Sequence, residues 1–246
     1  METPKSRTRD AVALTFASLF PLVMAYLYFV VLADPDSTSN PAFQAAIGAG
    51  KGIQFLFPLV YVWWFEREQI RFKPPTWRGL PLGVAFALAV GIAMFVLYFA
   101  WVQHIPAVAT ETPQKIHEKV QAIGIHSPGG FLQMAIGICV IHSLFEEYYW
   151  RWFVFGWMRR YLPGVLAIAL SSIGFMLHHV VILAVYFPGN FWTLALPFSV
   201  CVAVGGGVWA WLYERSGALH APWLSHCLID AAIMGLGYVM LEPYWR

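Results

Sequence analysis

The chain has 246 residues, of which 59% are hydrophobic and only 11% charged, with a mean hydropathy of +0.62. Soluble domains carry about 25% charged residues, so this composition excludes an ordinary soluble domain and describes a polytopic membrane protein built as one unit. The formal net charge of +2 is too small to point to a nucleic-acid partner.

Lys5, Arg7 and Arg9 precede an apolar run from Ala11 to Ala33. That run exceeds the 7–15 residues of a signal-peptide core and no small-residue cleavage site follows it, so it reads as a retained first transmembrane helix. A spanning helix needs roughly 20 mostly apolar residues. Seven segments qualify, at 11–33, 45–65, 80–103, 129–150, 163–187, 191–213 and 218–241. The loop from His104 to His126 has room for an eighth, but Lys115, Glu118 and Lys119 argue for an interfacial amphipathic stretch there. The expected fold is therefore an all-α transmembrane bundle of seven to eight spans. Residues 1–125 supply N-terminal helices and 126–246 the helices that carry most of the membrane-embedded polar residues.

With the N-terminus in the cytoplasm, one side collects Lys5, Arg7, Arg9, Arg67, Arg71, Lys73, Arg78, Arg151, Arg159, Arg160 and Arg215. The other keeps Lys51, Lys115, Lys119 and Arg246. This asymmetry fits the positive-inside rule and a bacterial-type inner membrane. Trp63, Trp64, Trp77, Trp150, Trp152, Trp157, Trp209 and Trp211 fall near expected helix ends, as an aromatic belt would. Gly205-Gly206-Gly207 suits close helix packing. Cys139, Cys201 and Cys227 match no zinc or disulfide spacing and read as small buried hydrophobes.

The informative residues are polar groups in apolar segments, where desolvation makes them costly. His142, Glu146, Glu147 and Arg151 fall in or at the end of the fourth span. His178 and His179 fall in the fifth, and His226 and Asp230 in the seventh. Glu147 and Arg151 are four apart in the favourable order for an ion pair. Glu146, about 100° round the helix, is then free to face the interior and to act as a general base. The competing reading places Glu146, Glu147 and Arg151 at a cytoplasmic helix end among headgroups. His142, one turn before Glu146, supports the carboxylate or is structural. His178 and His179 point about 100° apart, so at most one should face Glu146. His226 and Asp230 share a face. No H-E-x-x-H and no G-x-S-x-G is present, and nothing in the spacing selects Ser171, Ser172 or Ser225 as a nucleophile.

E-E-x-x-x-R, F-x-x-x-H and H-x-x-x-D, in this order between Ile141 and Asp230, resemble the CAAX-protease and bacteriocin-processing (Abi) family of intramembrane endopeptidases, including the type II CAAX prenyl endopeptidases. The first 125 residues are similar to that family only in being hydrophobic. The resemblance implies that Glu146 activates water, His179 positions it, His226 and Asp230 stabilise the oxyanion, and Glu147 with Arg151 supports the site. His142 and His178 lie outside the family pattern and stand as accessory residues. Asp230 departs from the Asn that prenyl endopeptidases often carry there. An ionised Asp would repel an oxyanion, so Asp230 is protonated, orients His226, or binds a metal.

The expected function is hydrolysis of a peptide bond in a membrane-associated protein or peptide, within a lipid bilayer and without nucleic acid. No cofactor is favoured. Glu146, His179, His226 and Asp230 would also suit zinc. Two other classes compete: a non-proteolytic membrane immunity or binding protein of the same fold, and a proton-coupled transporter. A transporter should show repeat symmetry, and the sequence has no internal repeat.

Overall fold

A computed structural model describes residues 4–32, 40–66 and 72–245, with side chains from residue 7 onward. Arg67, Arg71, Arg246 and the side chain of Lys5, all used in the orientation argument, lie outside the described residues. Among those described there are eight helices and no strand. Helix α1 is Pro4–Tyr26, extended by a π-helical turn at Leu27–Val31. Then follow α2 (Pro41–Phe65), α3 (Leu80–Ala100), α4 (Pro106–Ala122) and α5 (Pro128–Met158). The last three are α6 (Gly164–Tyr186), α7 (Phe191–Ser216) and α8 (His220–Leu241). All but α4 are long and apolar enough to cross a membrane, which makes a seven-span bundle.

Helix α4 is the amphipathic stretch expected of the third loop. The last carbonyls of a helix have no partner within it. Here α4 supplies partners to α6: Thr112 Oγ1 donates to the Tyr186 carbonyl at 2.6 Å and Lys115 Nζ to that of Val185 at 3.3 Å. A lysine at this end also complements the helix dipole.

The opposite end is pinned by a charged cluster. Asp10 of α1 is buried, and it accepts from Tyr61 of α2 at 2.5 Å and from Tyr161, beyond α5, at 2.6 Å. Arg9 reaches Asp10 at 2.7 Å and Glu66 at 3.3 Å, and Arg160 reaches Glu66 at 3.1 Å. The start of α1 and the ends of α2 and α5 are thereby tied together. Arg9 and Arg160 do lie at one common end.

Arg151, counted with the cytoplasmic side, is wholly buried, because α5 continues to Met158 instead of ending near residue 150. Lys51, inside the expected 45–65 span, lies ten residues into α2. The longer α5 also corrects the aromatic belt. Trp63, Trp64 and Trp77 are exposed, whereas Trp150, Trp152, Trp157 and Trp209 are core residues. Of the cysteines only Cys139 is buried, and Cys201 is exposed.

The glycines of α7 work as close-packing residues. A methyl group on Gly206 would come within 3.3 Å of the Phe175 ring and 3.5 Å of the Ser172 backbone on α6. Gly206→Leu is therefore expected to cost about 1–3 kcal/mol by overpacking and to displace Phe175. Thermal unfolding in detergent checks this, and an unchanged midpoint would show slack between α6 and α7.

Candidate functional site

Helix α5 brings the carboxylates to the interior. The five residues Ser143–Glu147 are regular α-helix, flanked by π-helical segments Gly137–His142 and Tyr148–Phe155. Such π-helical insertions are rare and recur at functional sites, because they shift a side chain's angular position on the helix. Glu146 is 5% exposed, and Glu147 and Arg151 are 0%. This rules out a helix end in contact with headgroups.

Arg151 and Glu147 form a buried, two-point ion pair. Arg151 Nε donates to Glu147 Oε2 at 3.0 Å and Nη2 to Oε1 at 3.2 Å. The guanidinium lies over Phe175 of α6 and Trp209 of α7, at 4.9 and 5.5 Å from their ring centres. Both rings offer a cation–π face to a charge that has no water. Phe175, the aromatic residue of the F-x-x-x-H pattern, thus forms a floor beneath the ion pair.

Glu146 makes no pair with Arg151. Its Oε1 lies 3.4 Å from His142 Nε2 and 3.5 Å from His178 Nε2, and its Oε2 lies 3.7 Å from His226 Nε2. These are direct, long contacts of the carboxylate with three imidazoles. His226 joins the two carboxylates. Its Nδ1–H donates to Glu147 Oε1 at 2.9 Å, while Nε2 faces Glu146 and, at 3.6 Å, Asp230 Oδ1. The ring of His226 stacks on Trp209 at 4.0 Å and 17°. Trp209 is held in turn by donating its indole N–H to Ser225 Oγ at 3.1 Å.

Of the two histidines of α6 one is in ion-pair reach of Glu146, as the angular offset implies, but it is His178, expected to be the accessory one, and not the His179 that the resemblance implies. His179 is half-buried and lies beside it, with ring centres 4.1 Å apart. His179 Nδ1 is 2.9 Å from the Phe175 carbonyl. A carbonyl only accepts, so Nδ1 carries the proton and Nε2 of the neutral ring keeps its lone pair. His179 also interacts electrostatically with Glu146 and His226. Both histidines therefore belong to the cluster.

Sequence reasoning misses Trp209 and Ser225 as parts of this site. The nearest signal was the cost of a Trp close to Gly205-Gly206-Gly207, which the belt reading absorbs. Ser171 and Ser172 donate to the Ile168 carbonyl within α6 and take no part. Among the described residues no three His, Cys, Asp or Glu side chains are disposed to hold a metal ion. His226 turns both nitrogens to carboxylates, and His179 spends Nδ1 on a carbonyl.

Residues 128–232 match the family model of the type II CAAX prenyl endopeptidase Rce1-like proteins. Over these residues the chain is similar to the CAAX-protease family. The match covers less than half of the chain, from the start of α5 into α8, and takes in every residue of the polar cluster. At the level of the family this similarity supports an intramembrane protease of the CAAX type. No match was found among curated proteins or among solved structures.

Proposed function

We propose that this CAAX-type protease cleaves its membrane-associated substrate by direct attack of water, with Glu146 as general base and without a metal. One observation carries the reading. A carboxylate with 5% exposure is met by three imidazoles, from its own helix, α6 and α8, all at 3.4–3.7 Å. A buried carboxylate surrounded by groups that carry protons at neutral pH is poised to move protons.

In this mechanism a water lies between Glu146 and His179 Nε2. Glu146 takes one of its protons as the oxygen attacks the scissile carbonyl carbon. Negative charge moves to the carbonyl oxygen, where the Nε2–H of His226 and a protonated Asp230 donate to it. Glu146 then returns the proton to the leaving nitrogen as the C–N bond breaks. The Glu147–His226 hydrogen bond fixes the orientation of the ring. We place the end bearing Arg9, Arg159 and Arg160 at the cytoplasmic face of a bacterial-type inner membrane, following the distribution of basic residues.

Asp230→Asn tests the mechanism. An amide N–H donates to an oxyanion in either protonation regime, so purified Asp230→Asn protein in detergent should cleave a membrane-anchored peptide within about tenfold of the native rate. It should do so with no stoichiometric metal in the active sample. Joint loss of activity and of bound metal, restored by added zinc, would replace this mechanism with a metal-dependent one.

A further inference from the structure

The basic residues at the end of the bundle that carries Arg9 fall into two groups. Arg9 and Arg160 are met by Asp10 and Glu66, and Arg159 is met by Glu214 at 2.7 Å. Lys73, Arg78 and Arg215 are exposed, and among the described residues none of them meets a carboxylate. These three are gathered around one feature, the turn between α7 and α8.

The segment 72–79, which leads into α3, is docked on that turn. The backbone N–H of Thr76 donates to His220 Nε2 at 3.2 Å, and Thr76 Oγ1 accepts from the N–H of Arg78 at 3.0 Å. Lys73 lies across Gly217: a methyl group there would stand 2.5 Å from its Nζ and 3.0 Å from its Cδ. Gly217 also ends α7 with φ +67°, a conformation that side chains disfavour. Glycine is thus required twice over, and the ammonium is held two residues from Arg215. The Arg215 guanidinium lies 4.8 Å from the centre of the Trp211 ring. A guanidinium held over a ring keeps its N–H edges available to an anion.

This cluster sits where two spans end, α7 at Ser216 and α3 at Leu80. Trp77, between Lys73 and Arg78, is 84% exposed, as suits an indole at headgroup level. Basic clusters at the ends of spanning helices attract anionic headgroups, and Lys and Arg are the usual donors to phosphate. Beneath Lys73 a small recess lined by Phe72, Trp152, Tyr213 and Leu219 offers apolar surface to the part of a lipid next to its phosphate.

We propose that Lys73, Arg78 and Arg215 form a binding site for the phosphate of an anionic lipid, and that its occupancy steadies the segment 72–79. The segment reaches the catalytic region through Phe72. That ring stacks on Trp152 at 5.1 Å and 29°, and it lines the cleft between α2 and α5 together with Phe145, the neighbour of Glu146. Pro74 and Pro75 stiffen the run between Lys73 and Thr76, so fixing Lys73 fixes the Phe72 wall. The lipid site stands on its own geometry; its effect on cleavage rests on the peptidase reading.

Thermal unfolding of the full-length protein in a neutral detergent, titrated with phosphatidylglycerol or phosphatidylcholine, measures binding without reference to cleavage. Phosphatidylglycerol should raise the midpoint and phosphatidylcholine should not; equal midpoints overturn the site. The mole fraction giving half of the shift should rise about fivefold in Lys73→Gln and again in Lys73→Gln/Arg215→Gln, the scale of one cation near an anionic surface. Lys73→Arg should stay near the native value. Arg7→Gln removes an exposed cation outside the site and should leave the titration unchanged. An equal loss in Arg7→Gln would reduce the effect to general surface charge and overturn the site. Soluble glycerol phosphate should give no shift; if it replaces the lipid, the site takes a free phosphate and the lipid assignment fails. In vesicles, phosphatidylglycerol should raise the initial rate on a membrane-anchored peptide severalfold for the native protein and not for Lys73→Gln/Arg215→Gln. A rate indifferent to lipid, with the unfolding shift intact, overturns the link through Phe72. Absence of cleavage in both lipids counts against the peptidase reading, while the unfolding titration still decides the lipid site.

Discussion

Glu146→Gln should lower cleavage of a membrane-anchored substrate by about 10²- to 10⁴-fold, the range that positioned general bases contribute, and leave a folded protein. The amide keeps the shape of the side chain. Its carbonyl and NH2 can still meet the rings of His142, His178 and His226, which lie 3.4–3.7 Å from the native carboxylate. It cannot take a proton from water. Because Glu146 makes no contact with Arg151, the substitution leaves the Glu147–Arg151 pair intact, so stability should change little. Initial rates in proteoliposomes, beside thermal unfolding of the same preparation, measure both quantities. Cleavage at the native rate would eliminate Glu146 as base. Loss of activity together with collapse of the fold would show instead that its charge is part of the structure.

The spans were legible because a membrane helix needs only length and apolarity, and both are properties of contiguous residues. The Glu147–Arg151 pair was legible for the same reason, since a spacing of four fixes neighbours on one helix. The interfacial α4 followed from its charges. What crosses between helices was not legible. The bond from His226 Nδ1 to Glu147 depends on how α8 is rotated against α5, and no local spacing encodes that. The angular offset of His178 and His179 lets one of them reach Glu146 but does not say which. In the structure the ring of His179 folds back onto its own backbone at Phe175, while His178 extends to Glu146. The end of α5 was misplaced because Trp150, Arg151 and Trp152 look like an interfacial belt. They are instead a buried arginine wedged among core aromatics, a placement that only the partners on α6 and α7 make affordable.

Removing either member of the Glu147–Arg151 pair should destabilise the protein by about 3–5 kcal/mol, because each substitution leaves one buried charge without its counter-ion. The two substitutions should not be equal. In Arg151→Met the carboxylate of Glu147 still receives the proton of His226 Nδ1 at 2.9 Å, and a carboxylate can also neutralise itself by taking up a proton. In Glu147→Gln the guanidinium has no such outlet, since arginine does not lose its proton in proteins. It is left with Phe175 and Trp209 at 4.9 and 5.5 Å, and its Nη1 is already without a hydrogen-bond partner in the native structure. Glu147→Gln should therefore be the more damaging of the two. The double substitution Glu147→Gln/Arg151→Met should be milder than Glu147→Gln alone, because it removes the stranded charge. Unfolding of the four proteins in mixed detergent micelles gives the cycle directly. Two single variants each within about 0.5 kcal/mol of the native protein, the range of neutral surface substitutions, would show that the pair is solvated and contradict its burial. A double variant worse than both singles would assign the two residues separate roles.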